Sequence, residues 1–119
     1  LKTANNEARL MSYESLSDGG FVSGTMLGSG GFIVYDEDSC IVRNTWNFSR
    51  FYHHESCGQC TPCRVGTSKA AKLMQSKSWD QDTLEDLATV MVDASICGLG
   101  QAAPNPIRCI AKYFPEEVA

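Results

Sequence analysis

The sequence contains no apolar run of the length a membrane-spanning helix requires, so direct membrane insertion is not expected. It also lacks a cationic excess. Ten Lys and Arg stand against 14 Asp and Glu, a formal net charge of −4, which argues against a nucleic-acid partner. Histidine is scarce at two residues, and no Ser/His/Asp triad, paired-carboxylate site or substrate pocket emerges. Hydrolytic and general acid–base catalysis therefore find no residues to work with. The N-terminus shows no secretory pattern of basic residues followed by an apolar stretch. What is left is a 119-residue chain, 43% apolar and 20% charged, which suits one ordinary globular domain with a core. It begins Leu1-Lys2-Thr3 without an initiator Met, and is expected to be a piece of something larger.

Cysteine, by contrast, is plentiful. Three of the six lie in Ser56-Cys57-Gly58-Gln59-Cys60-Thr61-Pro62-Cys63-Arg64-Val65-Gly66-Thr67, and a fourth, Cys97, follows 33 intervening residues later in Ser95-Ile96-Cys97-Gly98-Leu99-Gly100. Cys-x2-Cys-x2-Cys with one remote cysteine is a ligand pattern of a [4Fe–4S] cluster. A short loop can wrap three corners of an iron–sulfide cube if every third residue is a ligand, and the fourth corner comes from elsewhere. Gly58 permits a tight turn. Thr61-Pro62 reads as a helix entrance, with Thr61 as N-cap and Pro62 at the first helical position. That puts Cys63 in the first turn, where the helix dipole and Arg64 favour its thiolate. Gly98 and Gly100 leave room for backbone N–H groups near cluster sulfur, one of the factors that set the potential.

Two other readings stay open at this point. A structural zinc site is tetrahedral and usually draws two ligands from each of two Cys-x2-Cys pairs, whereas here one loop carries three cysteines and the partner segment one. Disulfides between such close neighbours staple a fold poorly, and the apolar content is not that of a small secreted scaffold. The set points to a reducing, cytoplasmic setting.

Residues 1–30 are polar and weakly periodic, reading as loop with a short strand at 10–12. Gly28-Ser29-Gly30-Gly31 precedes the apparent strand Phe32-Ile33-Val34-Tyr35. A dinucleotide fingerprint has the reverse order, strand then glycines, so the cluster of glycines reads as a structural turn. From Asp38 the period becomes helical, with Ile41, Val42, Thr45, Trp46, Phe48, Phe51 and Tyr52 on one face. A second helix runs from Pro62 to about Ser76 with Lys69 and Lys72 on its polar side, and residues 75–81 connect. Asp82-Thr83-Leu84-Glu85 reads as a third helix start with an acidic N-cap, and Leu84, Leu87, Ala88, Met91 and Val92 form its apolar stripe. Asn105-Pro106 opens a fourth helix bearing Ile107, Ile110, Ala111 and Phe114. Four amphipathic helices with short connections imply a mainly α, small four-helix bundle, with the two cysteine loops at one end. Cys40 and Cys109 read as structural thiols, His53 and His54 as helix-end residues, and Glu55 as solvent-facing or bound to loop N–H groups.

The run from Glu55 to Thr67 closely resembles the cluster loop of the NADH-binding flavoprotein subunit of respiratory complex I. The resemblance extends through Met26-Leu27-Gly28-Ser29-Gly30-Gly31-Phe32-Ile33-Val34, Phe51-Tyr52-His53-His54, Cys97 and Tyr113-Phe114-Pro115. The same module occurs in diaphorase subunits of NAD-reducing and bifurcating hydrogenases and in NAD-dependent formate dehydrogenases. The resemblance implies a division at residues 1–38, the tail of a ubiquitin-like (SLBB) region, and 39–119, an iron–sulfur helical bundle. It implies Cys57, Cys60, Cys63 and Cys97 as [4Fe–4S] ligands. It further implies electron transfer between an FMN reduced by NADH elsewhere in the parent protein and clusters in partner subunits, among them a thioredoxin-like [2Fe–2S] subunit. The family's FMN- and NADH-binding segments have no counterpart here, so this chain is expected to have no independent catalysis, and any membrane contact is expected through partner subunits. The alternative is a zinc- or cluster-stapled interaction module that transfers no electrons.

Overall fold

The computed structural model describes residues 12–17 and 28–119. The chain divides into two units, Leu1–Glu37 and Asp38–Ala119. In the first, the described residues form a one-turn helix, α1 (Tyr13–Ser17), and a stretch from residue 28 that turns at Gly28-Ser29 and runs on without regular structure.

The second unit is helical throughout: α2 (Ile41–Glu55), α3 (Thr61–Leu73), α4 (Gln81–Ala94), α5 (Gly98–Ala102), α6 (Asn105–Tyr113) and α7 (Pro115–Val118). Local chemistry marks the starts. Pro62, Pro106 and Pro115 each sit in a first turn, where a missing N–H costs nothing. Asp80 caps α4. Its Oδ1 accepts from the Thr83 N–H at 3.1 Å and its Oδ2 from the Thr83 hydroxyl at 2.6 Å, satisfying a donor that the helix cannot.

The four longer helices close a ring. α2 packs on α3 and α6, and α4 packs on the same two. Inside lie Ala70, Met74, Trp79, Leu84, Ile107, Ile110 and Val118, with Ile41, Val42, Trp46 and Leu73 against them. Burial of Leu84 alone stabilises the fold by roughly 1.5–3 kcal/mol. The polar groups of Trp46, Trp79 and Ser49 that enter this core find partners. The Trp46 indole N–H donates to Ala71 O at 3.0 Å, that of Trp79 to Met74 O at 3.2 Å, and the Ser49 hydroxyl to Met74 Sδ at 3.2 Å. A β-carbon on Gly66 would stand 2.6 Å from Met91 Cγ, so α3 and α4 approach this closely because α3 presents a bare backbone there. On the surface, Arg108 of α6 grips Glu85 of α4 through Nε and Nη2 and reaches Thr89 Oγ1.

Several expectations are corrected. Residues 32–35 form no strand, and Phe32, Ile33 and Val34 are 67%, 63% and 78% exposed. β-branched content favours a pleated surface, but a strand exists only by pairing, and among the described residues there is no strand at all. Of the strand expected at 10–12, residues 10 and 11 lie outside the described residues. Ser12 instead opens α1, accepting from the Leu16 N–H at 3.0 Å. Asp80 rather than Asp82 caps α4, and Cys60 rather than Thr61 occupies the N-cap position of α3. Glycine-rich residues 98–102 are helical, not loop. Phe51 is exposed rather than core, its ring edge-on to Tyr52. Among the described residues, no helix is long and apolar enough to cross a membrane.

Candidate functional site

α2 ends at Glu55, and the chain turns through residues 56–60 into α3. Ser56 stops α2 with extended backbone, its N–H still donating to Tyr52 O at 3.0 Å. Gly58 then takes φ +76°, a left-handed conformation that strains any residue with a β-carbon. The turn is clasped from outside. Arg64, one turn into α3, donates from Nη1 to Gly58 O at 2.5 Å and from Nη2 to Thr61 Oγ1 at 3.4 Å. Its forked guanidinium suits that double contact, which a lysine cannot reproduce.

The three loop cysteines sit at graded depth. Cys57 is exposed, Cys60 half-buried and Cys63 buried at 5% exposure. Cys97, exposed, is the N-cap residue of α5. The second segment comes alongside the first. The Ile96 backbone N–H is the largest influence holding the Cys60 thiol below its ordinary value, followed by the N–H of Cys63. Both act by stabilising negative charge on sulfur. Ser56 Oγ lies 3.2 Å from Cys63 Sγ and accepts the Gly58 N–H at 3.3 Å.

Gly100 marks where α3, α4 and α5 converge. A β-carbon there would stand 2.6 Å from Ser95 Cβ and 2.9 Å from Cys63 Cβ, and would collide with Ser95 Oγ. Ser95 is buried at 6% exposure, and its hydroxyl makes no hydrogen bond. It stands near enough to Cys60 to favour the thiolate, but outside hydrogen-bond geometry. A buried hydroxyl without a partner costs about 1–3 kcal/mol, and this one faces the cysteine loop. The three loop thiols, the amides that favour the Cys60 thiolate and the orphan Ser95 hydroxyl fit a thiolate-held group at this place. Among the described residues, no three His, Cys, Asp or Glu side chains converge closely enough to hold a single metal ion.

The remaining residues singled out by sequence stand apart. No disulfide joins any of the six cysteines. Cys109 is half-buried on α6, and burial pushes its thiol up, with Lys112 opposing. Cys40 is exposed at the start of α2 rather than packed. His53 and His54 lie in the last turn of α2, where a positive charge suits the helix dipole. Glu55 turns to His54 Nδ1 at 3.0 Å instead of to loop amides.

Residues 43–119 match the family model described as the NADH-ubiquinone oxidoreductase-F iron-sulfur binding region. The chain belongs to this family. The matched span includes Cys57, Cys60, Cys63 and Cys97 and omits Cys40, and membership implies a [4Fe–4S] cluster. Among relatives of this iron–sulfur region, an NADH-quinone oxidoreductase subunit of Streptomyces coelicolor is 41% identical over 80% of the chain and 22% of its own length. The NADP-reducing hydrogenase subunit HndC of Solidesulfovibrio fructosivorans is 37% identical over 88% of the chain and 22% of its length. A solved NAD+-reducing [NiFe]-hydrogenase in the H2-reduced state superposes with a TM-score of 0.67 at 37% identity, covering 71% of the chain and 16% of the hydrogenase chain. The iron–sulfur region thus spans about a quarter of the length of the curated relatives it matches.

Sequence reasoning missed Ser56, Ser95 and the Arg64 clasp. Ser56 could have been found from its place between a helix end and the first cysteine. Ser95 carries no local signal, since its burial depends on how α5 packs Gly100 against it.

Proposed function

We propose that this chain carries electrons through a [4Fe–4S] cluster held by Cys57, Cys60, Cys63 and Cys97. The observation that supports the reading is the convergence at Gly100, where a β-carbon would stand 2.6 Å from Ser95 Cβ and 2.9 Å from Cys63 Cβ, so that the segment leading into Cys97 lies beside the three-cysteine loop. When bound, the group supplies one-electron transfer with no proton chemistry of its own. The chain's residues supply the rest. Gly58 and Arg64 fix the loop; the N–H groups of Ile96 and Cys63 offset thiolate charge at Cys60; Cys63, buried under α5, keeps water from one side.

In the parent protein, electrons arrive from an FMN reduced by NADH and leave to further clusters, one of them in a thioredoxin-like [2Fe–2S] subunit. The whole is an NADH-linked oxidoreductase of the cytoplasm. Residues 39–119 are a four-helix bundle built around the cluster, and residues 1–38 are the end of a ubiquitin-like region. This chain alone performs no hydride transfer. Kinship with subunits named for NADH-quinone oxidoreductase and NADP-reducing hydrogenase supports that setting.

Serine replacement tests the ligand set. Cys57→Ser, Cys60→Ser, Cys63→Ser and Cys97→Ser should each lose most iron and acid-labile sulfide, whereas Cys40→Ser and Cys109→Ser keep both. Full cluster content in any of the first four would remove that residue from the set. A wild-type chain with zinc and no sulfide would replace the reading by a metal-stapled interaction module.

A further inference from the structure

We propose that the hydroxyl of Ser56 donates a hydrogen bond to the ligand sulfur of Cys63, and that this donor raises the reduction potential of the centre. The inference rests on the cluster reading above and assigns one positioning residue that is not itself a ligand.

Ser56 is placed by geometry. Its Oγ lies 3.2 Å from Cys63 Sγ and already accepts the Gly58 N–H at 3.3 Å. Between a thiol and a hydroxyl either partner can donate. Once Cys63 is a thiolate it has no proton left, so the only proton on this contact is the serine's. The amide of Gly58 occupies one face of the oxygen and leaves the O–H to the sulfur. Gly58 is itself pinned by Arg64, so the donor's position is inherited from a clasped turn.

The sign follows from charge. One-electron reduction adds negative charge that is shared with the ligand sulfurs. A donor therefore stabilises the reduced state more than the oxidised one, and its loss lowers the potential.

The test is an EPR-monitored redox titration of the anaerobically purified, cluster-loaded chain. Ser56→Ala should retain full iron and sulfide, and should lower the midpoint by the equivalent of a three- to tenfold change in the one-electron equilibrium constant, tenfold being about 59 mV. Ser56→Thr, which keeps the hydroxyl, should hold the wild-type value. Ser49→Ala serves as the packing control, because its buried hydroxyl donates to Met74 Sδ and not to a ligand. It should leave the potential unchanged. A loaded Ser56→Ala chain at the wild-type potential would overturn the proposal, as would a Ser49→Ala shift of equal size. A wild-type chain without iron and sulfide would instead overturn the cluster reading, and the proposal with it.

Discussion

Replacing Gly100 by Ala perturbs the point where the two cysteine segments meet. The added carbon would lie 2.6 Å from Ser95 Cβ and 2.9 Å from Cys63 Cβ. Both neighbours are β-carbons, fixed to backbone, so neither can rotate away, and the helices must separate. Overpacking of this kind costs about 1–3 kcal/mol. The change also gains up to about 1 kcal/mol, since alanine suits a helix better than glycine. A net loss of about 1–2 kcal/mol follows, which lowers the midpoint of thermal unfolding by several degrees in a domain of this size. The clash at Gly66 offers a contrast. There the neighbours are Met91 Cγ and Sδ, and a flexible thioether can shift, so Gly66→Ala should cost less and leave the cysteines undisturbed. The assay is thermal unfolding with iron and sulfide analysis on the same samples. Gly100→Ala should lose stability and cluster content together, and adding Ser95→Gly should recover part of both. A Gly100→Ala chain as stable and as fully loaded as wild type would refute the account of this junction.

Two further outcomes follow from individual side chains. The Thr83 hydroxyl, and then its backbone N–H, hold the Asp80 carboxyl below the usual carboxylate range. A depressed carboxylate contributes stability that is present above its unfolded pKa of about 3.9 and is lost as pH falls through the lower folded value. Asp80→Ala should therefore unfold at lower temperature than wild type at pH 7, with the gap closing below about pH 4; a gap independent of pH would contradict the capping role. In the loaded chain, iodoacetamide followed by peptide mass analysis should find exposed Cys40 modified first and Cys109 last, because burial disfavours the Cys109 thiolate. Rapid modification of Cys109 would show that α6 does not shelter it.

Helices whose apolar residues recur on one face were legible in the sequence. Leu84, Ala88 and Met91 are buried on α4, and Ile107 and Ile110 on α6, because a period of 3.6 survives translation into packing. Isolated apolar residues were not. Trp79 lies in a polar connection and Val118 near the end of the chain, yet both are core, joined by a Trp79 N–H to Val118 O bond of 3.3 Å. Nothing local announces such a contact. α5 was hidden because its glycines argue against helix when read alone; Gly100 is tolerated there because crowding by Ser95 and Cys63 excludes anything larger. Residues 32–35 show the opposite failure, a propensity with no partner strand to realise it. At the candidate site, the cysteine spacing was plain, since ligand chemistry fixes residue type and interval together. The buried Ser95 hydroxyl was invisible, because its place is defined by the meeting of segments about thirty residues apart.

Metal and sulfide analysis of anaerobically purified protein, with an EPR spectrum after dithionite reduction, tests the central claim most directly. The account predicts about four iron and four sulfide per chain and a reduced S = 1/2 signal. One zinc per chain, no labile sulfide and no signal would contradict it.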